Sequence, residues 1–424
     1  MTYSQKTLDL LLNGQIEAAK KEFAWALRKD EPDLLYSLAE ELLALGFSNM
    51  AKRIYQKLLQ EFPQEDELKT ALAEILILEG KDDEALEYLQ QIPATSDAYL
   101  AALLVLADLY QTQGLFEISE QKLLQAHQLA PDEEVIWFAL AELYYSMQDY
   151  QKALGYYLDL VKADILEYSQ INLLQRLGIC YAAQGEFEAA KQYLEQIPPA
   201  KLNADILFQL GFTQLQVADY EKAITSFEKL KELSADYATL YPYLGTAYEK
   251  MGRLQEAYLT LQEGVSVDEY NVSLYQSLAR VALKLNQPAD AKKHLQKALK
   301  LEPDNLTSVI EYSNLLEFLH EDEDNLAFLN EYLANNQTDP QLFWNRGKIL
   351  ARQDHYAQAL EDYQAILPEL ENSVEFLADA AVFFRNAGQR QLALRCAKAY
   401  LSQVNDDFEM EQLYQQLSED EYLF

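Results

Sequence analysis

A period of 34 residues constrains this chain more than any other feature. One anchor position is held by Ala19, Ala51, Ala85, Ser119, Ala153, Ala190, Ala223, Ala257, Ala291, Leu326, Ala359 and Ala393, and the eleven steps average 34 residues. Twelve residues before each anchor after the first stand Ala39, Ala73, Ala107, Ala141, Gly178, Gly211, Gly245, Ala279, Asn314, Gly347 and Ala381. Five residues before the anchor comes Gly at positions 14, 46, 80, 114, 185, 252 and 388, so the two columns hold eleven of the thirteen glycines.

One unit, Leu240–Asp268, shows what the period encodes. Tyr241, Leu244, Gly245 and Tyr248 fall at i, i+3, i+4 and i+7, one face of an α-helix. Gly252 breaks that helix, and Ala257, Leu261 and Gly264 mark the facing stripe of a second. Each helix is too short to stand alone in water, so the two must pair, and Gly245 and Ala257 let the backbones approach closely. A helical hairpin repeated end to end is expected, each unit packing only on its neighbours. Half the residues are apolar and 12% aromatic, enough to fill the interfaces between stacked hairpins.

These residues resemble the tetratricopeptide repeat family over nearly the whole chain. The resemblance rests on Leu38-Ala39, Leu72-Ala73, Leu106-Ala107, Leu140-Ala141, Leu177-Gly178, Leu210-Gly211, Leu244-Gly245 and Leu278-Ala279, on Tyr110, Tyr144, Tyr181 and Tyr248, and on the repeat-ending Pro63, Pro131 and Pro303. It implies an all-α, right-handed superhelical solenoid of about twelve hairpins, without sheet. One continuous array over residues 1–404 is expected, then a capping helix and acidic tail over 405–424. The step from Ala153 to Ala190 is 37, which predicts a longer linker around 162–169. The unit near 305–339 departs most from the pattern, with Ser313, Asn314 and an acidic turn at 320–325; it is expected to be the weakest, its register shifted by a residue.

The net charge of −35 argues against a nucleic-acid ligand or an anionic membrane, both of which need a basic footprint. The longest unbroken apolar run, Ala98–Ala107, is far too short to span a bilayer. The N-terminus lacks a signal-peptide pattern, and Cys180 and Cys396 lie far apart, so a cytoplasmic protein without disulfides is expected. No catalytic, cofactor or metal constellation emerges. The four histidines occupy four different repeat positions, and the acidic turn at 320–325 lacks the glycine and final Glu of a calcium loop. A non-enzymatic protein is expected.

What remains is a binding stripe. With the small residue of each first helix numbered position 8, positions 2, 5, 9, 12 and 13 lie apart from the packing face; in relatives of the family they line the concave surface. Position 9 reads Glu40, Glu74, Asp108, Glu142, then Ile179, Phe212, Thr246, Arg280, Leu315, Lys348 and Val382. Position 5 adds Tyr36, Phe138, Phe208 and Trp344; position 13 adds Lys250, Lys284 and Arg352, and Arg385 belongs to the same stripe. The wall is expected to pass from acidic through apolar to basic, recruiting a basic partner segment at its start and an acidic one at its end. The tail Glu419–Phe424, with three acids and two rings, is one candidate for the basic end, in its own molecule or a neighbour.

The expected function is a scaffold or adaptor that binds partner peptides or helices, in the manner of stand-alone tetratricopeptide repeat proteins of Gram-positive bacteria. The alternative is a peptide-sensing regulator, or the regulatory subunit of an enzyme complex. The family's grip on C-terminal carboxylates is not carried over, because the early position-9 residues are acids.

Overall fold

A computed structural model describes residues 2–335 and 339–419. Among them, 24 helices pair in sequence as twelve antiparallel hairpins, and a final helix, Phe408–Glu419, follows. The repeats span 3–29, 32–61, 66–89, 99–129, 134–162, 173–194, 204–233, 240–267, 272–301, 306–335, 340–366 and 374–401. The chain is an all-α solenoid of repeats. Residues 420–424 of the expected tail lie outside the described residues.

Each hairpin turns through one residue of left-handed backbone. Seven turns use the predicted glycines, at φ between 71° and 81°; the other five use Gln148, Ala218, Asn286, His320 and Asp354, at φ between 57° and 61°. At Gly46 the geometry closes the helix end, its N–H bonding Leu43 O while Phe47 N–H bonds Leu42 O. Several first helices begin on side-chain caps, among them Asn172, Asn203, Asn305, Asp339 and Ser373. The anchor alanines and their small partners are fully buried, as close helix packing requires.

The contacts divide the chain into two compact units, 1–202 and 203–424. The boundary follows a short helix, Phe187–Leu194, and a 3-10 turn at Pro199–Lys201.

Two expectations need correction. The chain is not free of sheet: the longer linker after repeat 5 forms an antiparallel pair, Glu167–Tyr168 with Ile171–Asn172. Ser169 and Gln170 turn it with both φ values positive, as a tight hairpin needs. The register of repeat 10 is shifted by one residue, as expected, and the residues assigned to it move one position toward the N-terminus: Asn325, not Leu326, is the buried anchor, and Ser313, not Asn314, is the small residue facing it. Position 9 of that repeat is therefore the exposed Asn314, while Leu315 is core.

The reason lies in a buried polar ladder. Asn325 donates its side-chain amide to Ser313 O at 2.9 Å, and Asn345 of repeat 11 donates to Ser313 Oγ at 3.0 Å and Asn314 Oδ1 at 2.8 Å. Gln341 in turn donates to Asn345 Oδ1 at 3.0 Å. Hydrogen bonds here replace the apolar contacts of other repeats. The acidic turn is also better tolerated than like-charge repulsion suggests. Lys292 pairs with Glu321, Arg352 with Asp322, and Asp322–Asp324 sit in the first turn of a helix, where the dipole favours anions.

Candidate partner-binding site

In the first unit, the outer stripe of the first helices in repeats 2–4 forms a trough. A depression of about 450 Å³ is bordered by Tyr36, Glu40, Glu67, Glu74 and Asp97, with Thr70 and Ala71 at its floor. A second, of about 340 Å³, shares Glu74 and runs to Asp108 between Ile77, Leu78 and Leu104. A third, of about 280 Å³, shares Tyr36 and Glu67 and adds Asp33 and Glu65. No lysine or arginine lines any of the three. The trough is thus acidic over three successive repeats, with apolar side chains between the carboxylates.

The electrostatics follow from that arrangement. Glu74 is exposed at the surface, yet the trough walls around it strip part of its hydration; this and the neighbouring Asp108 carboxylate raise its pKa. Burial raises the Tyr36 hydroxyl as well, and Glu40, Glu67 and Glu74 add to the shift. A cation entering here would relieve both.

The fourth predicted acid does not belong to this trough. Arg176 grips Glu142 in a two-pronged pair at 2.9 Å each, and Tyr157 donates to the same carboxylate at 2.5 Å. Phe138 is taken too, because Tyr168 of the inserted hairpin stacks on it at 4.5 Å. Glu142 and Phe138 therefore hold the fold together at repeats 5 and 6. Sequence reasoning missed Asp33 and Glu67, which occupy position 2 of the stripe 34 residues apart, and Asp97, which comes from a linker.

In the second unit, Phe208 packs 5.4 Å from Tyr237 and 5.5 Å from Tyr243, and Phe212 meets Tyr243 edge-on at 5.4 Å. Trp344 donates its indole N–H to Asp379 at 2.6 Å and lies 4.9 Å beneath the Lys348 ammonium. Four of the predicted cations are already engaged by carboxylates. Arg280 and Lys284 meet Glu249, the latter at 2.8 Å. Lys348 meets Glu317 at 2.8 Å, and Arg352 bridges Glu317 and Asp322. The two sets share one logic: an acid at position 12 of one repeat is held by bases at positions 9 and 13 of the next. Arg385 is exposed and bonds only its neighbour Asn386 among the described residues.

Among the described residues no three His, Cys, Asp or Glu converge as a metal site, and no helix is long and apolar enough to cross a membrane. Both thiols are buried, which pushes Cys180 up to about 12 and Cys396 up to about 11, away from the reactive thiolate.

Comparison with known proteins agrees with the fold. Family models for YpiA-like tetratricopeptide repeats match residues 111–165 and, for the C-terminal repeats, 340–407; general tetratricopeptide models match 49–105, 173–198, 204–237 and 272–305. The TPR repeat-containing protein YpiA of Bacillus subtilis (strain 168) is 33% identical over 427 residues, covering 99% of each chain. Among solved structures, a tetratricopeptide repeat protein of Parabacteroides merdae aligns over 58% of this chain and 97% of its own, at 14% identity and a TM-score of 0.43. YrrB, described as having an unusual peptide-binding site, aligns over 44% and 95%, at 18% identity and a TM-score of 0.39.

Proposed function

The chain belongs to the YpiA-like family of tetratricopeptide repeat proteins, a class of protein-interaction repeats, and on that premise we propose a non-enzymatic cytoplasmic scaffold whose repeats 2–4 hold a basic segment of a partner protein. One observation carries the reading: Glu40, Glu74 and Asp108 line a continuous trough that contains no basic residue, while Arg280, Lys284, Lys348 and Arg352 of the second unit are already held by Glu249, Glu317 and Asp322. A Lys- or Arg-rich extended segment would meet carboxylates at repeat spacing, with Tyr36 and Leu78 offering apolar contact between them. An acidic segment at Trp344, Lys348 and Arg352 would first have to displace internal carboxylates, so that half of the expected charge pattern is the less favoured reading.

The test is a titration of the full chain with a fluorescein-labelled peptide of alternating Lys and Ala, at several salt concentrations. Reversing Glu74 and Asp108 to Lys together is expected to weaken binding by roughly tenfold or more and to flatten its salt dependence. Affinity and salt slope that ignore the double reversal would reduce the trough to a solvated face.

A further inference from the structure

We infer that the gap between repeats 9 and 10 is a second docking site, which takes one bulky apolar side chain of a partner's extended segment while a Lys or Arg of that segment meets Glu311. The site lies in the second unit and stands independently of the acidic trough.

Charged staples join the repeats on either side of this gap. Where repeat 8 meets repeat 9, Glu249 at position 12 is held by Arg280 and Lys284 at positions 9 and 13. Where repeat 10 meets repeat 11, Glu317 is held by Lys348 and Arg352 in the same slots. At the junction between these two, the three slots carry Leu283, Asn314 and Phe318. The charged staple is missing, and a cavity of about 460 Å³ opens in its place. That size falls within the range of small ligand pockets.

The cavity is lined mainly by apolar groups. Leu295 and Leu315 form buried wall, while Leu283 and Phe318 are 40% and 68% exposed. Two large apolar side chains are therefore left facing water at the mouth of an apolar recess. Two charged groups break the pattern, Arg280 and Glu311: Arg280 is paired with Glu249, whereas Glu311 Oε2 is buried with no hydrogen-bond partner. Burial raises its pKa, and the Arg280 charge opposes that rise without cancelling it; Arg280 itself bonds Glu249 and Ser277. An apolar recess with an unpartnered buried carboxylate oxygen is complementary to an apolar side chain beside a cationic donor. A carboxylate-bearing segment would face Glu311 unfavourably and find Arg280 already paired with Glu249, so an acidic occupant fits the recess less well than a cationic one.

The experiment uses the full-length protein bearing Glu74→Lys and Asp108→Lys, which weakens the contribution of the trough. The probes are three fluorescein-labelled peptides in a Gly/Ser background: one with Lys and Phe separated by a single residue, one with Glu replacing that Lys, and one with Ser replacing that Phe. The Lys/Phe peptide is expected to bind more tightly than either alternative, by roughly tenfold. Phe318→Ser, an exposed change that leaves the core intact, is expected to abolish that preference. Glu311→Gln should remove the preference for Lys over Glu while the preference for Phe survives. Methyl resonances of Leu283 and Leu315 should shift on titration. Equal binding of all three peptides, absence of binding, or a preference untouched by Phe318→Ser would each overturn the proposal.

Discussion

Two glycines in helices of equal length offer a sharp test of close helix packing. Gly211 lies in helix Ala204–Gln216, and a methyl group built there would sit 2.8 Å from Cε1 of Phe227. Phe227 is fully buried and touches Phe208 and Tyr243, so its ring has little room to retreat. Gly155 lies in helix Tyr150–Lys162, exposed, with nothing within 4 Å of the same added atom. Replacing a helical Gly by Ala gains roughly 0.8–1 kcal/mol from backbone entropy alone. At Gly155 that gain should appear almost undiminished. At Gly211 an overpacking cost of about 1–3 kcal/mol opposes it, which leaves the protein anywhere from unchanged to about 2 kcal/mol less stable. The two Ala variants should therefore differ by about 1–3 kcal/mol, with Gly155→Ala the more stable. Gly211→Leu should be worse again. Urea unfolding supplies the midpoints; because repeat arrays unfold piecewise, hydrogen exchange over 204–233 should show the loss locally first. If Gly211→Ala stabilises as much as Gly155→Ala, the close-approach reading of that column is wrong.

The raised pKa of Glu74 gives a pH signature. A carboxyl group whose folded pKa lies above its unfolded value contributes stability in full below the ordinary carboxylate range, and loses it as pH rises through the folded value. Glu74→Gln should therefore stabilise the protein at neutral pH, with the gain vanishing in acid; a gain indifferent to pH would refute this. Repeat 10 should exchange its amides fastest among the internal repeats. Its two helices pack less closely than those of any other hairpin, and its anchor is Asn325 in place of Ala. Exchange as slow as in repeat 9 would count against it.

The architecture was legible because packing repeats itself. An Ala or Gly every 34 residues has no cheaper explanation than helices in close contact, and the buried column from Ala39 to Ala381 bears this out. Repeat 10 escaped because its small residue is Ser313 and its anchor Asn325: polar side chains, buried only because they bond each other and Asn345. The inserted strand pair escaped for a related reason. Ser169 and Gln170 take positive φ without the Gly or Asn that would have announced the turn. At the surface, spacing put Glu40, Glu74, Asp108 and Glu142 in one column but could not say which were free. That depends on Arg176, which sits at position 6 of the next repeat, outside the stripe, and reaches back to Glu142. The same blindness hid the pairing of Lys348 and Arg352 with Glu317.

The polar ladder between repeats 10 and 11 bears on how such a chain finds its own order. Twelve hairpins of nearly interchangeable shape set the nascent chain a counting problem, since any second helix can dock tolerably on the wrong neighbour, displaced by one period. An apolar seam does little to prevent this, because Leu and Ala fit one another at every step. Asn345 is different: set against the Leu and Ala of another repeat it would lose both Ser313 and Asn314 and stay buried without acceptors. A mis-threaded array is thereby penalised at one known place, and repeats 10 and 11 become the fixed reference from which their neighbours are numbered.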